Sequence, residues 1–177
     1  VCIQNLPVVF AVDRAGLVGS DGETHQGIFD LSYLSSIPGM TVLAPKNLWE
    51  LRAELEFAVS CCQGPVAIRY PRGQAYRGLK EFAAPVEYGK GELIYEGQTI
   101  ALLAVGSMVS TAQHVREKLL EEGISCTLAN GRFIKPVDKE LVEKLAAGHK
   151  LVVTLEENVL RGGYGLEVTA YIHAHHP

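Results

Sequence analysis

Three short, mostly apolar runs constrain the fold of the first half of the chain. They occupy residues 7–12, 40–44 and 65–70 and are rich in valine. Runs of this length and composition are typical of strands that are buried on both faces of a parallel sheet. Residues 28–36 and 48–60, which lie between the runs, have the apolar spacing of helices. The alternation predicts an α/β three-layer sandwich around a mostly parallel sheet.

A second alternating pattern begins at Thr99. It predicts strands at residues 100–105, 125–129 and 151–155, and helices at residues 109–122, 138–147 and 162–173, with Asp138 as the cap of the middle helix. Residues 74–98 show no clear periodicity, and we expect a crossover linker there with a small hairpin at Glu96-Gly97. The predicted organisation is one α/β domain in residues 1–73, a linker in 74–98 and a second α/β domain in 99–177.

Composition and charge exclude several classes of function. The 177 residues are 47% hydrophobic and 20% charged, with a formal charge of −4, so broad affinity for nucleic acid or for an anionic membrane has no support. No apolar run approaches the roughly 18 residues of a membrane span. The four cysteines show no Cys-x-x-Cys spacing, which argues against a zinc site. We therefore predict no metal ligands, and a reduced compartment fits the free thiols.

The loop at residues 13–26 follows the first predicted strand and is the leading candidate for a ligand site. Ligands of open parallel sheets bind at the carboxyl ends of the strands, which is where this loop lies. It contains Arg14, Asp21 and His25 among glycines at positions 16, 19 and 22. Glycines let a backbone approach a ligand closely. An ordinary surface loop with turn chemistry is the alternative.

Arg72 follows the third predicted strand and is the second candidate. Parallel strands share one carboxyl edge, so Arg14 and Arg72 can converge there and clamp a phosphate with two guanidinium groups. A salt bridge to a neighbouring acid is the alternative for either arginine alone. Arg69 points to the opposite side of the strand from Tyr70, and we interpret it as structural.

His25 is a candidate proton donor or acceptor because an imidazole titrates near neutral pH. Glu156 and Glu157 are adjacent on an extended backbone, so they point to opposite faces and cannot act as a carboxylate pair. Residues 105–110 lack the Gly-x-Gly-x-x-Gly of a dinucleotide site, and residues 162–165 lack the Lys-Ser/Thr of a P-loop.

The motifs resemble one family over the whole chain. Asp-Arg-Ala-Gly at residues 13–16, Asp-Gly-Glu-Thr-His at 21–25 and Tyr-Pro-Arg-Gly at 70–73 are similar to those of the 1-deoxy-D-xylulose 5-phosphate synthases. Gly-x-Thr-His alone is shared with the wider transketolase group. Asn-Gly-Arg-Phe-Ile-Lys-Pro-Val-Asp at 130–138 and Glu-Glu-Asn at 156–158 are similar to the C-terminal domain of that group.

The resemblance implies a function. It places part of a transketolase pyrimidine-binding domain before a transketolase C-terminal-type domain, in a homodimeric enzyme of the bacterial cytoplasm or the plastid. Such enzymes use thiamine diphosphate and Mg²⁺ to condense pyruvate with glyceraldehyde 3-phosphate, releasing carbon dioxide; the product feeds isoprenoid, thiamine and pyridoxal synthesis. The cofactor performs the carbanion chemistry. On the family pattern, Arg14 and Arg72 hold the substrate phosphate, while Asp21 and His25 act at the reacting groups.

The chain departs from the family in what it lacks. It contains no Gly-Asp-Gly motif for magnesium and diphosphate, and the glutamate that activates the aminopyrimidine would precede Val1. The second domain stops short of the family's last strand. We therefore expect a C-terminal fragment that alone binds neither cofactor and is inactive, and no cofactor-binding residue is assigned.

Two alternatives stay open. One is another thiamine-dependent enzyme, such as a transketolase or a 2-oxoacid dehydrogenase β-type subunit. The other is a non-catalytic module that serves dimerisation, the role that we assign to residues 99–177 because they contain no convincing catalytic group.

Overall fold

The first unit, residues 1–73, is an α/β layer as predicted. The computed structural model describes residues 1–176. After a short 3₁₀ turn, the elements of this unit are β1 (Val9–Val12), α1 (Asp30–Ser36), β2 (Thr41–Leu43), α2 (Leu48–Ser60) and β3 (Val66–Arg69). Strand β3 lies between β1 and β2 and is parallel to both. Every residue of β2 and β3 is buried, which explains their mostly apolar sequences.

The second unit, residues 92–176, is built around its own four-stranded sheet. Its elements are β4 (Glu92–Tyr95), β5 (Ile100–Ala104), α3 (Met108–Glu121), β6 (Cys126–Asn130), β7 (Phe133–Lys135), α4 (Lys139–Gly148), β8 (Leu151–Leu155) and α5 (Tyr164–His175). The sheet order is β4-β6-β5-β8, with β5 parallel to both of its neighbours. Asp138 caps α4 as predicted, because its side chain accepts a hydrogen bond from the Leu141 N–H. Within residues 1–176, no helix has both the length and the apolar character needed to traverse a bilayer.

The predicted hairpin at Glu96-Gly97 is wrong. Strand β4, which lies in the segment predicted as linker, pairs antiparallel with β6 and not with the following strand β5. The chain between β4 and β5 therefore crosses the beginning of β6. Gly97 makes this crossing possible, since a side chain there would overlap the Cys126 backbone. Its N–H donates to Thr127 Oγ1 at 2.9 Å.

Strand β7 was not predicted, and it connects the two units. It pairs antiparallel with β2, so that Val42 lies opposite Lys135 and Leu43 opposite Phe133, and the first sheet has the order β1-β3-β2-β7. The second unit thereby completes the sheet of the first unit.

A buried group of charged side chains, here called the interface ion cluster, joins the same two units. It consists of Lys46, Glu50, Glu92 and Arg132. Glu50 on α2 receives hydrogen bonds from Lys46 Nζ at 2.9 Å and from Arg132 Nε at 2.8 Å. Lys46 also contacts Glu92 Oε2 at 2.6 Å. Because each charge has an opposite partner, the cluster can exist away from water.

Glu54 lies one turn after Glu50 on α2 and is fully buried. Among the described residues, neither of its carboxyl oxygens has a hydrogen-bond partner. Burial, together with the neighbouring Glu50 charge, raises the pKa of the Glu54 carboxyl well above its ordinary value of 4.5. The buried carboxyl group of Glu54 therefore lowers the stability of the folded protein.

Replacing Glu54 with methionine should stabilise the protein. We expect the free energy of unfolding at pH 7 to rise by about 1–3 kcal/mol, because an unpartnered buried carboxyl is removed. Since the folded pKa lies above the unfolded value, the wild type loses stability relative to the variant as the pH rises above 4.5. Urea unfolding between pH 4 and pH 8 measures both effects.

Glu50→Met is the matched control on the same helix. It leaves the buried cations Lys46 and Arg132 with Glu92 as the one carboxylate that both still contact, so a loss of about 3–5 kcal/mol is expected. Equal destabilisation by the two substitutions would contradict the assignment of Glu54 as unpartnered.

Candidate functional site

The loop after β1 closes on itself at a narrow base, here called the neck, formed by Ala15, Gly16 and Gly27. Gly16 N–H donates to Gly27 O at 3.0 Å, and Gly27 N–H donates to Gly16 O at 2.9 Å. Ala15 N–H donates to Tyr70 O at 3.0 Å, which attaches the neck to the end of β3. Gly16 has a φ of +75°, a conformation that favours glycine. The neck therefore places the loop at the carboxyl edge of the first sheet.

Gln26 maintains the shape of the loop beyond the neck. Its side-chain amide donates to Val18 O at 2.8 Å and to Gly22 O at 2.7 Å, and its Oε1 accepts from Val18 N–H at 2.6 Å. The sequence did not predict this role, because a single glutamine in a loop does not indicate which backbone groups its side chain will bind. These three bonds give a glycine-rich segment a defined path.

The two predicted arginines converge, and they meet on Asp21. Arg14 Nε donates to Asp21 Oδ2 at 2.6 Å, and Arg72 Nη1 donates to Asp21 Oδ1 and, at 2.9 Å, to Ser20 Oγ. Arg14 also contacts Asp13 at 2.7 Å. The Asp21 side chain is only 10% exposed, whereas that of Arg72 is 47% exposed. The two guanidinium groups thus hold one carboxylate between them at the edge of the sheet.

The charges of this group reinforce one another. The hydrogen bond from Arg14, assisted by the charge of Arg72, holds the pKa of the Asp21 carboxyl below its ordinary value of 3.8. The same bond raises the pKa of Arg14. Asp21 is therefore ionised at neutral pH and occupies the position of an anionic ligand.

His25 lies in the same loop but outside this group. Its ring nitrogen Nδ1 is 2.9 Å from Thr24 Oγ1, and the residue is exposed. Among the described residues, no hydrogen bond joins it to Arg14, Asp21 or Arg72. The structure thus brings three of the four predicted site residues together and leaves the imidazole free to face solvent.

Arg69 is buried and binds backbone oxygens of the neck and of Glu157, which agrees with the structural role that the sequence indicated. Its side chain is 2% exposed. Nη2 donates to Gly27 O and to Glu157 O, both at 2.6 Å, and Nε lies 3.4 Å from Asp30 Oδ2. Arg69 therefore connects the neck to a segment of the second unit.

That segment, which follows β8, was not predicted to reach the site. The Glu157 side chain packs against Gly16, where a Cβ atom would overlap its carboxyl group, and it accepts a hydrogen bond from Ser107 Oγ. Glu156 points the other way and accepts from the N–H groups of Tyr164 at 2.9 Å and Gly165 at 2.8 Å. The expected opposite orientation of the two glutamates is confirmed. Ligands of parallel sheets bind at the carboxyl ends of the strands, and Glu157 follows the carboxyl end of β8. This position was the sequence signal that could have placed Glu157 near the site.

A cleft of about 460 Å³ opens beside Arg72, between the strand ends of the first unit and the beginning of α3. Its walls include Asp13, Leu51, Tyr70, Tyr76 and Ser110. This volume lies in the range of small-molecule sites. The cleft gives a small ligand access to the guanidinium group.

The described residues do not fit the magnesium ion that the family resemblance implies. Across residues 1–176, no group of three or more His, Cys, Asp or Glu side chains is placed to hold a metal ion. The arginine pair suits an anionic oxygen ligand and offers no ligand for Mg²⁺.

Comparison with known proteins identifies the family. The family model for the pyrimidine-binding domain of transketolase matches residues 1–77, and that for the transketolase C-terminal domain matches residues 89–177. The chain belongs to the transketolase family. The predicted fold class is thereby confirmed. A solved transketolase-family structure, described as a split gene transketolase in an inactive β4 tetramer, superposes with a TM-score of 0.90 at 30% identity, covering 100% of this chain and 57% of that one.

Curated relatives show which enzymes of the transketolase family this chain is similar to. The 1-deoxy-D-xylulose-5-phosphate synthase of Lachnoclostridium phytofermentans is 56% identical over 99% of this chain and 28% of its own length. The synthases of Syntrophus aciditrophicus and Rippkaea orientalis are 51% and 48% identical over 97% and 95% of the chain, which covers 26% and 27% of them. These matches confirm the resemblance drawn from the motifs. The chain spans only about a quarter of the length of these relatives.

Removing Arg14 should raise the pKa of Asp21. We expect Arg14→Ala to move it toward 3.8 by more than Arg72→Ala does, because the bond from Arg14 is the larger cause of the depression. A carbon-detected NMR titration of the Asp21 carboxyl measures the shift. Arg52→Ala, at an exposed position on α2, is the control and should leave the titration unchanged. A larger shift in Arg72→Ala would refute the ranking.

Proposed function

We propose that this chain forms the substrate-phosphate side of a thiamine-diphosphate-dependent transferase. The reaction condenses pyruvate with glyceraldehyde 3-phosphate to 1-deoxy-D-xylulose 5-phosphate and releases carbon dioxide. The observation that carries the proposal is the meeting of Arg14 and Arg72 on one carboxylate at the sheet edge. The 56% identity to a synthase of this name supports the choice of reaction.

The arrangement of the arginine pair supports the proposed binding of a phosphate ester. Each oxygen of the Asp21 carboxylate faces a different guanidinium group, so the two arginines are spaced for an anion with two adjacent oxygens. A phosphate offers the same pair of acceptors with a greater negative charge, and arginine binds it with directed hydrogen bonds. The incoming phosphate takes the place of Asp21, and the released carboxylate then lies next to the substrate that displaced it.

Asp21 and His25 are assigned to the reacting end of the substrate. Once freed from the arginines, the Asp21 carboxylate can accept a hydrogen bond from a substrate hydroxyl. His25 is exposed on the same loop, and its imidazole is proposed as the proton donor or acceptor. In this assignment the two arginines bind and orient the substrate phosphate. Asp21 and His25 accept or donate protons and hydrogen bonds at the reacting end.

Thiamine diphosphate and Mg²⁺ belong to the proposal as ligands of residues outside this chain. We propose that the complete enzyme is a homodimer of the bacterial cytoplasm or of the plastid, and that its product feeds isoprenoid, thiamine and pyridoxal synthesis. The 177 residues alone are proposed to be inactive. Calorimetry that detected tight binding of both cofactors to these residues alone would contradict that part.

Substituting Arg72 tests the phosphate assignment in the complete enzyme. We expect Arg72→Ala to lower kcat/KM for glyceraldehyde 3-phosphate by about 10–100-fold, since a charge-assisted bond contributes roughly 1.5–3 kcal/mol. The KM for pyruvate should stay unchanged, because pyruvate carries no phosphate. Steady-state kinetics with each substrate varied in turn measures both constants.

Arg52→Ala is again the matched control, because Arg52 is an exposed arginine on α2. Arg72→Lys keeps the charge but loses the paired donors, so an intermediate loss is expected. Unaltered constants for glyceraldehyde 3-phosphate in Arg72→Ala would leave Arg72 as a structural residue.

The choice of donor separates the proposal from another transketolase-type activity. The complete enzyme should consume pyruvate and should not use xylulose 5-phosphate as a donor. The reverse preference would favour a transketolase, and activity with neither would favour the non-catalytic dimerisation module.

A further inference from the structure

We propose that Glu157 and Asn158, which belong to the second unit, are positioning residues for the phosphate site of the first unit. Neither touches the proposed phosphate position. Each fixes one end of the loop that carries Arg14 and Asp21. The inference rests on the proposed function and assigns the second unit a part in substrate binding, beyond the dimerisation role expected from its sequence.

Glu157 supports the neck through direct contact. Its carboxyl group lies against the Cα atom of Gly16, in the space that a side chain at this position would fill. Ser107, at the beginning of α3, donates a hydrogen bond to the same carboxyl and so fixes its orientation. The neck therefore rests on a side chain that is itself anchored within the second unit.

The conformation of Arg14 depends on that neck. Arg14 has a φ of +61° and Gly16 a φ of +75°, so the chain turns sharply twice within three residues. On the other side of the turn, a side chain at Gly27 would overlap the Arg14 carbonyl oxygen. With so little free space, a shift of the neck moves the Arg14 backbone and changes the direction of its guanidinium group.

Asn158 supports the other end of the loop. Helix α1 begins just after the loop, and its own N-cap residue, Phe29, provides no capping side chain. Asn158 Oδ1 instead accepts from Leu31 N–H at 3.2 Å, and Asn158 Nδ2 donates to Ser32 Oγ at 2.8 Å. The second unit therefore supplies the N-terminal cap that α1 lacks.

Arg69 joins the neck to the backbone of Glu157. A single nitrogen, Nη2, donates both to the neck at Gly27 O and to Glu157 O. Val159 N–H adds a backbone bond of 2.9 Å to Ile28 O. The segment at residues 157–159 thus lies along the base of the loop and is bonded to it at successive positions.

Glu157→Ala in the complete enzyme tests the inference. We expect the KM for glyceraldehyde 3-phosphate to rise about tenfold, because small displacements of binding groups have effects of this order. The kcat and the KM for pyruvate should stay within about twofold of wild type, a split that general destabilisation would not produce. Glu157→Gln keeps the shape of the side chain and should restore most of the affinity.

Glu156→Gln is the matched control, since it alters the neighbouring carboxylate, which caps α5 and does not contact the loop. It should lower the melting temperature and leave both KM values unchanged. Equal KM values for Glu157→Ala and wild type would overturn the inference. So would a parallel loss in all kinetic constants that Glu157→Gln does not repair.

A readout independent of activity separates this inference from the proposed function. In Glu157→Ala, the pKa of Asp21 should rise toward 3.8, because a displaced Arg14 no longer holds the carboxylate. An unchanged Asp21 titration refutes the positioning role even where Arg72→Ala confirms phosphate binding. A shifted Asp21 titration in Glu157→Ala, together with unchanged kinetic constants for glyceraldehyde 3-phosphate in Arg72→Ala, supports the positioning role and rejects the proposed function. Should Glu157→Ala fail to fold, the same titration in Asn158→Ala decides: a rise in the pKa of Asp21 toward 3.8 supports the inference, and an unchanged titration refutes it.

Discussion

The rest of the structure depends on the buried carboxylate of Glu50, which holds Lys46 and Arg132 together at the junction of the two units. These charges are favourable only as a set, since each one alone would be an unpaired ion in the interior. The pairing therefore specifies one docked arrangement of the units and penalises any displaced one. The pairing of β7 with β2 uses the same junction. The contacts that Glu157 and Asn158 make with the two ends of the loop after β1 also need that arrangement.

The local sequence pattern was sufficient to predict most of the helices and strands of the fold. Helix α2 and strand β8 have the predicted bounds, because a helical spacing of apolar residues and a short apolar run are both visible in the local sequence. The two errors concern pairing at long range. Strand β7 has only three residues and its partner lies in the other unit, so no local pattern marks it. Strand β4 was assigned to a hairpin because β5 is its neighbour in sequence, whereas its partner in space is β6.

The same distinction between local pattern and long-range contacts applies to the candidate site. The convergence of Arg14 and Arg72 could be predicted, because parallel strands share a carboxyl edge. Their meeting on Asp21 could not, since a loop of glycines and polar residues permits many paths and the bonds of Gln26 select one of them. The contact between Gly16 and Glu157 required the docking of the two units, which no pattern in either unit encodes.

The cap that Asn158 provides to α1 also bears on the order in which the molecule forms. Helix α1 has seven residues, too few to be stable alone in water, and its capping side chain lies 127 positions further along the chain. During synthesis the ribosome releases the loop and α1 long before it releases Asn158. The cap of α1 therefore forms late, after the strand β8 that precedes Asn158 has been synthesised. A nascent chain stalled before residue 158 would lack the side chain that caps α1.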